Sequence, residues 1–197
     1  MEKSATRNPQ PAIIKVPAFS LVLLVGPSGS GKSTFARRHF RPTEVVSSDH
    51  CRALICDDEA DQSVTGDAFA LLHALVRWRL RWGRLTVVDA TNVQGPARRS
   101  LRVLARRLGV PAVAIAFNIP VRLAAAWNRG RPRQVPRAVM AQQRADLRQA
   151  LRALPREGYQ GVYVLNGPAD IDRALVTRIV VPASAVRGNS GPEGLND

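Results

Sequence analysis

Apolar residues along this chain follow two patterns that alternate from one end to the other. Short apolar runs, typical of strands buried inside a parallel sheet, lie at 19–25, 44–47, 85–91, 110–118 and 161–165. Apolar residues spaced three or four positions apart predict helices at 32–40, 66–83, 95–109, 120–127 and 137–154. Residues 13–16 are a candidate edge strand, and 169–179 close the pattern. The alternation predicts an α/β fold, a three-layer αβα sandwich with a central, mostly parallel sheet.

The chain has 197 residues, enough for one domain with a hydrophobic core, which we expect at 12–182. The ends, 1–11 and 183–197, are mostly polar, contain Pro and lack periodicity, so we expect both to be disordered. No apolar run reaches the roughly 20 residues that span a bilayer, and no secretory signal is evident. Cys51 and Cys56 have no partners at metal-binding spacing, so a cytoplasmic protein with reduced thiols is the expectation.

The first strong strand leads directly into the sequence GPSGSGKST. This matches the P-loop pattern G-x-x-x-x-G-K-[ST], here between a predicted strand and a predicted helix. Glycines let the backbone wrap closely, so that its N–H groups point at phosphate oxygens, and the next helix adds its positive N-terminal end. The candidate nucleotide-binding residues are Gly26, Ser28, Gly29, Ser30, Gly31, Lys32, Ser33 and Thr34.

Two P-loop residues have specific chemistry. We expect Lys32 to reach the β- and γ-phosphates, a catalytic role, and the Ser33 hydroxyl to bind Mg²⁺. The cofactors are therefore ATP, or another NTP, and Mg²⁺. Kinases, GTPases, motor ATPases and nucleotide switches all share this loop, so it does not define the reaction.

Asp49 is a candidate general base. Transfer of a phosphoryl group to an alcohol needs a group that takes the hydroxyl proton, and Asp49 follows the strand whose carboxyl end lies beside a P-loop. Arg52 lies three residues later, where one helical turn would place it on the same face to bind an anionic acceptor. Alternatively, Asp49 caps the following helix, because Ser-Ser-Asp suits an N-cap.

Asp89 ends the apolar strand LTVVD. In P-loop enzymes an acid at this place supports Mg²⁺, often through water. The alternative is a strand-end acid that bonds to the backbone.

Four further acids lie close together in a basic chain: Asp57, Asp58, Glu59 and Asp61. A solvated loop before the helix that follows Gly66 explains them most simply, and metal binding is the alternative.

The formal net charge is +14, and residues 91–156 contain fourteen arginines and one acid, Asp146. Such a bias favours phosphate-rich partners such as nucleic acid, although an arginine-rich genome would give the same composition. Four of these arginines lie in 128–137, where Gly and Pro bar a regular helix. This segment is a candidate lid that neutralises charge on the transferred phosphoryl group, or else an arginine-rich surface loop.

Two other sets of residues have open interpretations. Arg144, Arg148 and Arg152 recur at helical spacing and either follow a nucleic-acid backbone or form the solvated face of a helix. Trp78 and Trp82 lie four residues apart and either stack on bases or pack against the protein.

Three blocks recur together in a known family: GPSGSGKSTFARRHF, TEVVSSDHCRALICDDEADQSVTGDAF and GRLTVVDATNVQ. Over about residues 13–165 the chain resembles the kinase module of bacterial polynucleotide kinase-phosphatases, RNA-repair enzymes that phosphorylate 5′-OH ends. The resemblance implies that Asp49 is the general base and that Arg52 grips a phosphate of the acceptor strand. It also implies that Arg129 and Arg133 are catalytic lid arginines, with Arg131 the alternative for the second.

The resemblance implies an ATP-dependent polynucleotide 5′-hydroxyl kinase whose partner is a single-stranded RNA or DNA end. Multidomain members also carry phosphatase and nucleotidyltransferase modules, so we expect a stand-alone kinase or a separately made piece without 3′-end healing. The alternatives are a small-molecule kinase on the same scaffold and a non-catalytic nucleic-acid-binding NTPase.

Overall fold

The computed structural model describes residues 12–129 and 135–180, with the backbone alone for Val121, Ala125, Asn128 and Arg129. The strands are β1 Ile13–Pro17, β2 Leu21–Val25, β3 Val45–Ser47, β4 Thr86–Asp89, β5 Ala112–Phe117, β6 Gly161–Leu165 and β7 Leu175–Ile179. The helices are α1 Lys32–His39, α2 Ser48–Cys56, α3 Thr65–Arg81, α4 Gly95–Arg107, α5 Val121–Arg129, α6 Arg137–Ala153 and α7 Pro168–Arg173. Short 3₁₀ turns lie at Pro42–Glu44 and Leu154–Arg156.

Five strands form one sheet in the order β3-β4-β2-β5-β6. Every neighbouring pair in it is parallel. All residues of β2, β4 and β5 are buried, which is expected of parallel strands covered on both faces. The predicted α/β sandwich is confirmed.

Alternate residues of β2 point into two separate cores. Leu21, Leu23 and Val25 pack with residues of α2, α3, α4 and α6. Val22 and Leu24 pack on the other face with residues of α1, α7 and β1. The sheet is therefore the middle of three layers, and α1 and α2 cover opposite faces of it.

β1 forms as predicted but does not extend the main sheet. It pairs in parallel with β7, with Ile13 opposite Leu175, in a second sheet of two strands. Ile14 and Val16 are buried with Val22, whereas Ile13 and Lys15 on the other side of the strand are exposed. The buried side of β1 therefore packs on the face of the main sheet.

Two of the helices, α3 and α4, end just before a glycine. Gly83 and Gly109 adopt left-handed backbone with φ of 63° and 67° just after α3 and α4, at the ends of the helix ranges predicted from the sequence. α5 continues to Arg129, past its predicted end at 127. Residues 130–134 of the predicted lid, 128–137, lie outside the described residues. Among the helices that are described, none has the length and apolar character to cross a membrane.

Candidate active site

One row of residues across three strands brings the sequence motifs together. Leu24 of β2 pairs with Asp89 of β4, and Asp89 pairs with Ser47 of β3. The P-loop begins two residues after Leu24, and Asp49 lies two residues after Ser47. Because the strands are parallel, the P-loop, Asp89 and Asp49 all lie at the same edge of the sheet.

The P-loop backbone needs its glycines. Gly29 and Gly31 have φ of 77° and 89°, a conformation that glycine adopts readily and other residues rarely do. At Gly26 a Cβ would lie 2.8 Å from Ser30 Oγ and 3.0 Å from Phe117 Cβ, so the strand exit has no room for a side chain. No side chain caps α1 after Gly31, so a bound phosphate would supply acceptors for its first N–H groups.

Lys32 is buried against the loop it belongs to. Its Nζ donates hydrogen bonds to the carbonyl oxygens of Gly26 at 2.9 Å and Pro27 at 2.8 Å. The residue is 7% exposed. A positive charge is therefore held at the P-loop itself, which favours a polyanionic ligand there.

Asp89 is a buried carboxylate beside Ser33. Burial raises the pKa of Asp89, while the Lys32 ammonium and a hydrogen bond from Ser33 oppose the rise and the Asp49 charge adds to it. Ser33 and Asp89 together offer hard oxygen ligands of the kind Mg²⁺ takes along with nucleotide phosphates. Across the described residues no group of three or more His, Cys, Asp or Glu could hold a metal. A cation here would therefore depend on phosphate oxygens as well.

Asp49 lies in the first turn of α2 with its side chain 54% exposed. The alternative that Asp49 caps this helix is wrong, because Ser47 is the N-cap and its side chain accepts from His50 N. Arg52, whose side chain is 7% exposed, donates to the Asp49 carboxylate and, through Nε, to Glu59 O at 2.9 Å. Arg52 thus lies on the same helix face as Asp49, as predicted, and holds that carboxylate in place.

The acidic segment after α2 folds on itself. Asp58 Oδ1 accepts from Ala60 N at 2.7 Å, and Asp61 Oδ1 accepts from Ser63 N at 2.8 Å. Side-chain bonds to a backbone N–H two residues on are how Asp stabilises turns. The segment is a loop, as the simpler interpretation predicted, and its Glu59 carbonyl contributes to holding Arg52.

A family model described as an AAA domain matches residues 21–150. The chain belongs to this family. No curated protein gives a significant match.

Several solved structures share the fold of this chain. A chain of the Pnkp1/Rnl/Hen1 RNA repair complex is similar with a TM-score of 0.56 and 22% identity, over 76% of this chain and 48% of that one. A chain of the PezAT toxin–antitoxin system of Streptococcus pneumoniae has a TM-score of 0.56 and 17% identity, over 86% and 72%. A kinase-like protein from Chloroflexus aurantiacus has a TM-score of 0.51 and 13% identity, over 76% and 86%. This chain spans about half the length of the RNA-repair protein. At these identities the likeness shows the fold alone.

The residues that support the loop after Asp89 were not indicated by the sequence. Arg98 Nη1 donates to the carbonyl oxygens of Asn92 at 3.0 Å and Val93 at 2.7 Å. Its Nε and Nη2 donate to Glu157 at 2.9 and 2.5 Å. Arg98 is 2% exposed. A buried ion pair therefore fixes this loop, and nothing in the local pattern around Arg98 indicated a partner at position 157.

Three side chains around the P-loop were also not indicated by the sequence. Atoms of Ile171 and Trp127 lie 3.5 and 3.8 Å from where a Cβ of Gly31 would be. Gln143 Oε1 accepts a hydrogen bond from Ser28 N at 2.8 Å.

The remaining predicted residues are only partly described. The side chain of Arg129, and Arg131 and Arg133 entirely, lie outside the described residues. Arg144 is half-buried and donates to the Ile119 carbonyl, whereas Arg148 and Arg152 are exposed, so the predicted stripe is not uniform.

The two tryptophans of α3 lie at the surface. Trp78 and Trp82 are 48% and 66% exposed, and the guanidinium groups of Arg77 and Arg81 lie 5.7 and 5.2 Å from the Trp78 ring centre. Trp78 therefore packs against arginines rather than in the core.

Proposed function

We propose that this protein is an ATP-dependent kinase that transfers the γ-phosphoryl group of an NTP to the 5′-OH end of RNA or DNA. The proposal rests on the pairing of Leu24 with Asp89 and of Asp89 with Ser47 across three parallel strands. This pairing brings the exposed carboxylate of Asp49 to the same sheet edge as the P-loop. An exposed acid beside a phosphate site is what transfer to an alcohol requires.

On the donor side, Lys32 and the P-loop backbone bind the triphosphate. Ser33 and Asp89 would hold Mg²⁺, which when bound would supply positive charge that neutralises the phosphates. The position of Lys32 at the loop and the burial of Asp89 support these roles. Arg129 and Arg133 of the lid stabilise the charge that develops during transfer.

On the acceptor side, Asp49 takes the proton of the 5′-hydroxyl group as its oxygen attacks. A bond forms between that oxygen and the γ-phosphorus, and the bond from the γ-phosphorus to the β–γ bridging oxygen breaks. ADP leaves with the electron pair of that bond, and the proton remains on Asp49 until solvent removes it. The contact with Arg52 supports this role by keeping the carboxylate at the mouth of the site.

Two observations favour a polynucleotide acceptor. The formal net charge of +14 attracts a strand of phosphates, which a small neutral acceptor does not require. The sequence blocks that contain Asp49 and Arg52 resemble those of the polynucleotide kinase module, and that resemblance assigns a phosphate of the acceptor strand to Arg52.

The test supplies γ-labelled ATP and Mg²⁺ with 5′-OH RNA, 5′-OH DNA, the same strands with a 5′-phosphate, and a panel of sugars, nucleosides and antibiotics. We expect label on 5′-OH strands, none on 5′-phosphorylated strands, and transfer that weakens steeply with salt. Label on small acceptors alone would replace this proposal with a small-molecule kinase. Release of free phosphate without labelled acceptor would indicate an NTPase.

A further inference from the structure

Gln143 connects a distant helix to the P-loop. It lies in the second turn of α6, and its Oε1 accepts from the backbone N–H of Ser28, the third residue of the loop, at 2.8 Å. The two residues are 115 positions apart, so the contact is a product of tertiary packing. A buried or half-buried amide aimed at a backbone N–H contributes to fixing that backbone.

The helix that carries Gln143 is firmly attached. Leu147 and Ala150 of α6 are buried in the core beneath the sheet. Arg144, the next residue, donates to the carbonyl oxygen of Ile119, just beyond β5. A side chain on a helix fixed in this way approaches the P-loop from a defined direction.

That direction is the acceptor side of the sheet. α6 and α2 cover one face, while α1 covers the other. Gln143 therefore reaches the P-loop from the face on which Asp49 lies. If Asp49 serves the transferred phosphoryl group, the terminal phosphate of the nucleotide ends on that same side.

The chemistry of the side chain suits a neighbouring phosphate. A carboxamide is neutral and carries one acceptor oxygen and two N–H donors. The oxygen of Gln143 binds Ser28 N, which leaves the nitrogen as a donor group at the edge of the loop. A glutamate would accept the same hydrogen bond but would place a negative charge beside a triphosphate.

We propose that Gln143 is a positioning residue that holds the P-loop at Ser28 and favours a nucleoside triphosphate over a diphosphate. The inference deepens the proposed function and rests on nucleotide binding at the P-loop, but not on the identity of the acceptor.

The neighbouring Gln142 provides a matched control. Its Nε2 donates to Asp146 Oδ1 at 2.9 Å on the exposed side of the same helix. Gln142→Glu and Gln143→Glu therefore introduce the same charge on adjacent residues, and only the second faces the P-loop.

The experiment measures dissociation constants for Mg-ATP and Mg-ADP by calorimetry in the wild type, Gln143→Glu, Gln143→Ala and Gln142→Glu. For Gln143→Glu we expect ATP affinity to fall about tenfold or more, because like charges are brought together, with ADP affinity within about threefold. Gln143→Ala should lose a few-fold in ATP affinity, and Gln142→Glu should match the wild type. Retained ADP binding shows that each variant is folded.

An equal loss of ATP and ADP affinity in Gln143→Glu would overturn the inference, and so would a result no different from Gln142→Glu. If Gln143→Glu does not fold, the test rests on Gln143→Ala. A ratio of its dissociation constants for Mg-ATP and Mg-ADP equal to that of the wild type would overturn the inference. A wild-type protein that binds neither nucleotide would overturn this inference and the proposed function together. A protein that shows the expected selectivity but labels no polynucleotide end would leave the inference standing and remove only the proposed acceptor.

Discussion

Asp49 and Asp89 lie at one edge of the same sheet in opposite environments. The Asp49 side chain is 54% exposed and held by Arg52, whereas Asp89 is 7% exposed and its pKa is raised by burial. An exposed carboxylate can meet the hydroxyl group of an incoming acceptor, and a buried one beside Ser33 is better suited to support a cation. Two acids that look alike in sequence thus acquire different proposed roles from their surroundings.

The largest expected effect comes from removing the exposed acid. Asp49→Asn should lower kcat for phosphoryl transfer by about 10³-fold, because the proton acceptor is lost, while the dissociation constant for ATP stays within about twofold. Steady-state kinetics and ATP titration measure the two quantities. Asp57→Asn, at the exposed end of the same helix, is the control and should keep wild-type activity. Substantial activity in Asp49→Asn would end the distinction between the two acids.

Replacing Asp89 should lower activity less than replacing Asp49 does, and it should act through the Mg²⁺ site. Asp89→Asn should lower kcat/KM by about 10- to 100-fold, because support of the Mg²⁺ site is weakened. Raising Mg²⁺ should recover part of the activity of Asp89→Asn and none of the activity of Asp49→Asn. A Mg²⁺ titration curve identical to that of the wild type would contradict the role given to Asp89.

Replacing Arg52, which holds Asp49, should lower kcat less than replacing Asp49 itself does. Arg52→Lys keeps the positive charge but cannot bind Asp49 and the Glu59 carbonyl with one planar group, so we expect kcat to fall about tenfold. Arg107→Lys, exposed at the far end of α4, is the matched control. Unchanged kcat with a higher KM for the oligonucleotide would mean that Arg52 serves the strand alone.

The smallest predicted effect concerns stability. The pKa of Asp89 in the folded protein is raised above its unfolded value by burial, so the stability of the protein falls as the pH rises from the unfolded pKa through the folded one. Asp89→Asn should therefore raise the unfolding temperature at pH 7 without nucleotide by about 2–4 °C. Asp49→Asn should lower it slightly, because Arg52 stays buried with a weaker partner. Thermal scans of both variants measure the contrast, and the same sign in both would refute it.

Local patterns predicted the parts of the site that local chemistry determines. The P-loop lies between a strand and a helix, as its glycines and apolar neighbours indicated, and Asp49 and Arg52 share a face because they are three residues apart on a helix. The contact between Gln143 and Ser28 could not be predicted in this way, since it depends on where α6 packs.

Two other features could not be predicted from the sequence for the same reason, because they depend on contacts between distant segments. Arg98 and Glu157 are 59 residues apart, and their pairing depends on how α4 packs against the 3₁₀ turn that follows α6. The pairing of β1 with β7 joins segments near the two ends of the domain, and the apolar pattern of either strand alone does not specify its neighbour. The periodicity of apolar residues predicts that a strand or helix forms, whereas tertiary packing determines which segment it lies against.

The proposed reaction requires Asp49 to face the terminal phosphate across a gap that an alcohol can fill. A crystal structure with ADP, Mg²⁺ and a short 5′-OH oligonucleotide tests it most directly, through the distance from the Asp49 carboxylate to the 5′-oxygen. We predict a hydrogen bond of about 2.6–3.2 Å, with the 5′-oxygen directed at the place of the missing phosphoryl group. An oligonucleotide bound with its 5′-oxygen away from Asp49, or an Asp49 carboxylate turned away from the nucleotide, would contradict the account.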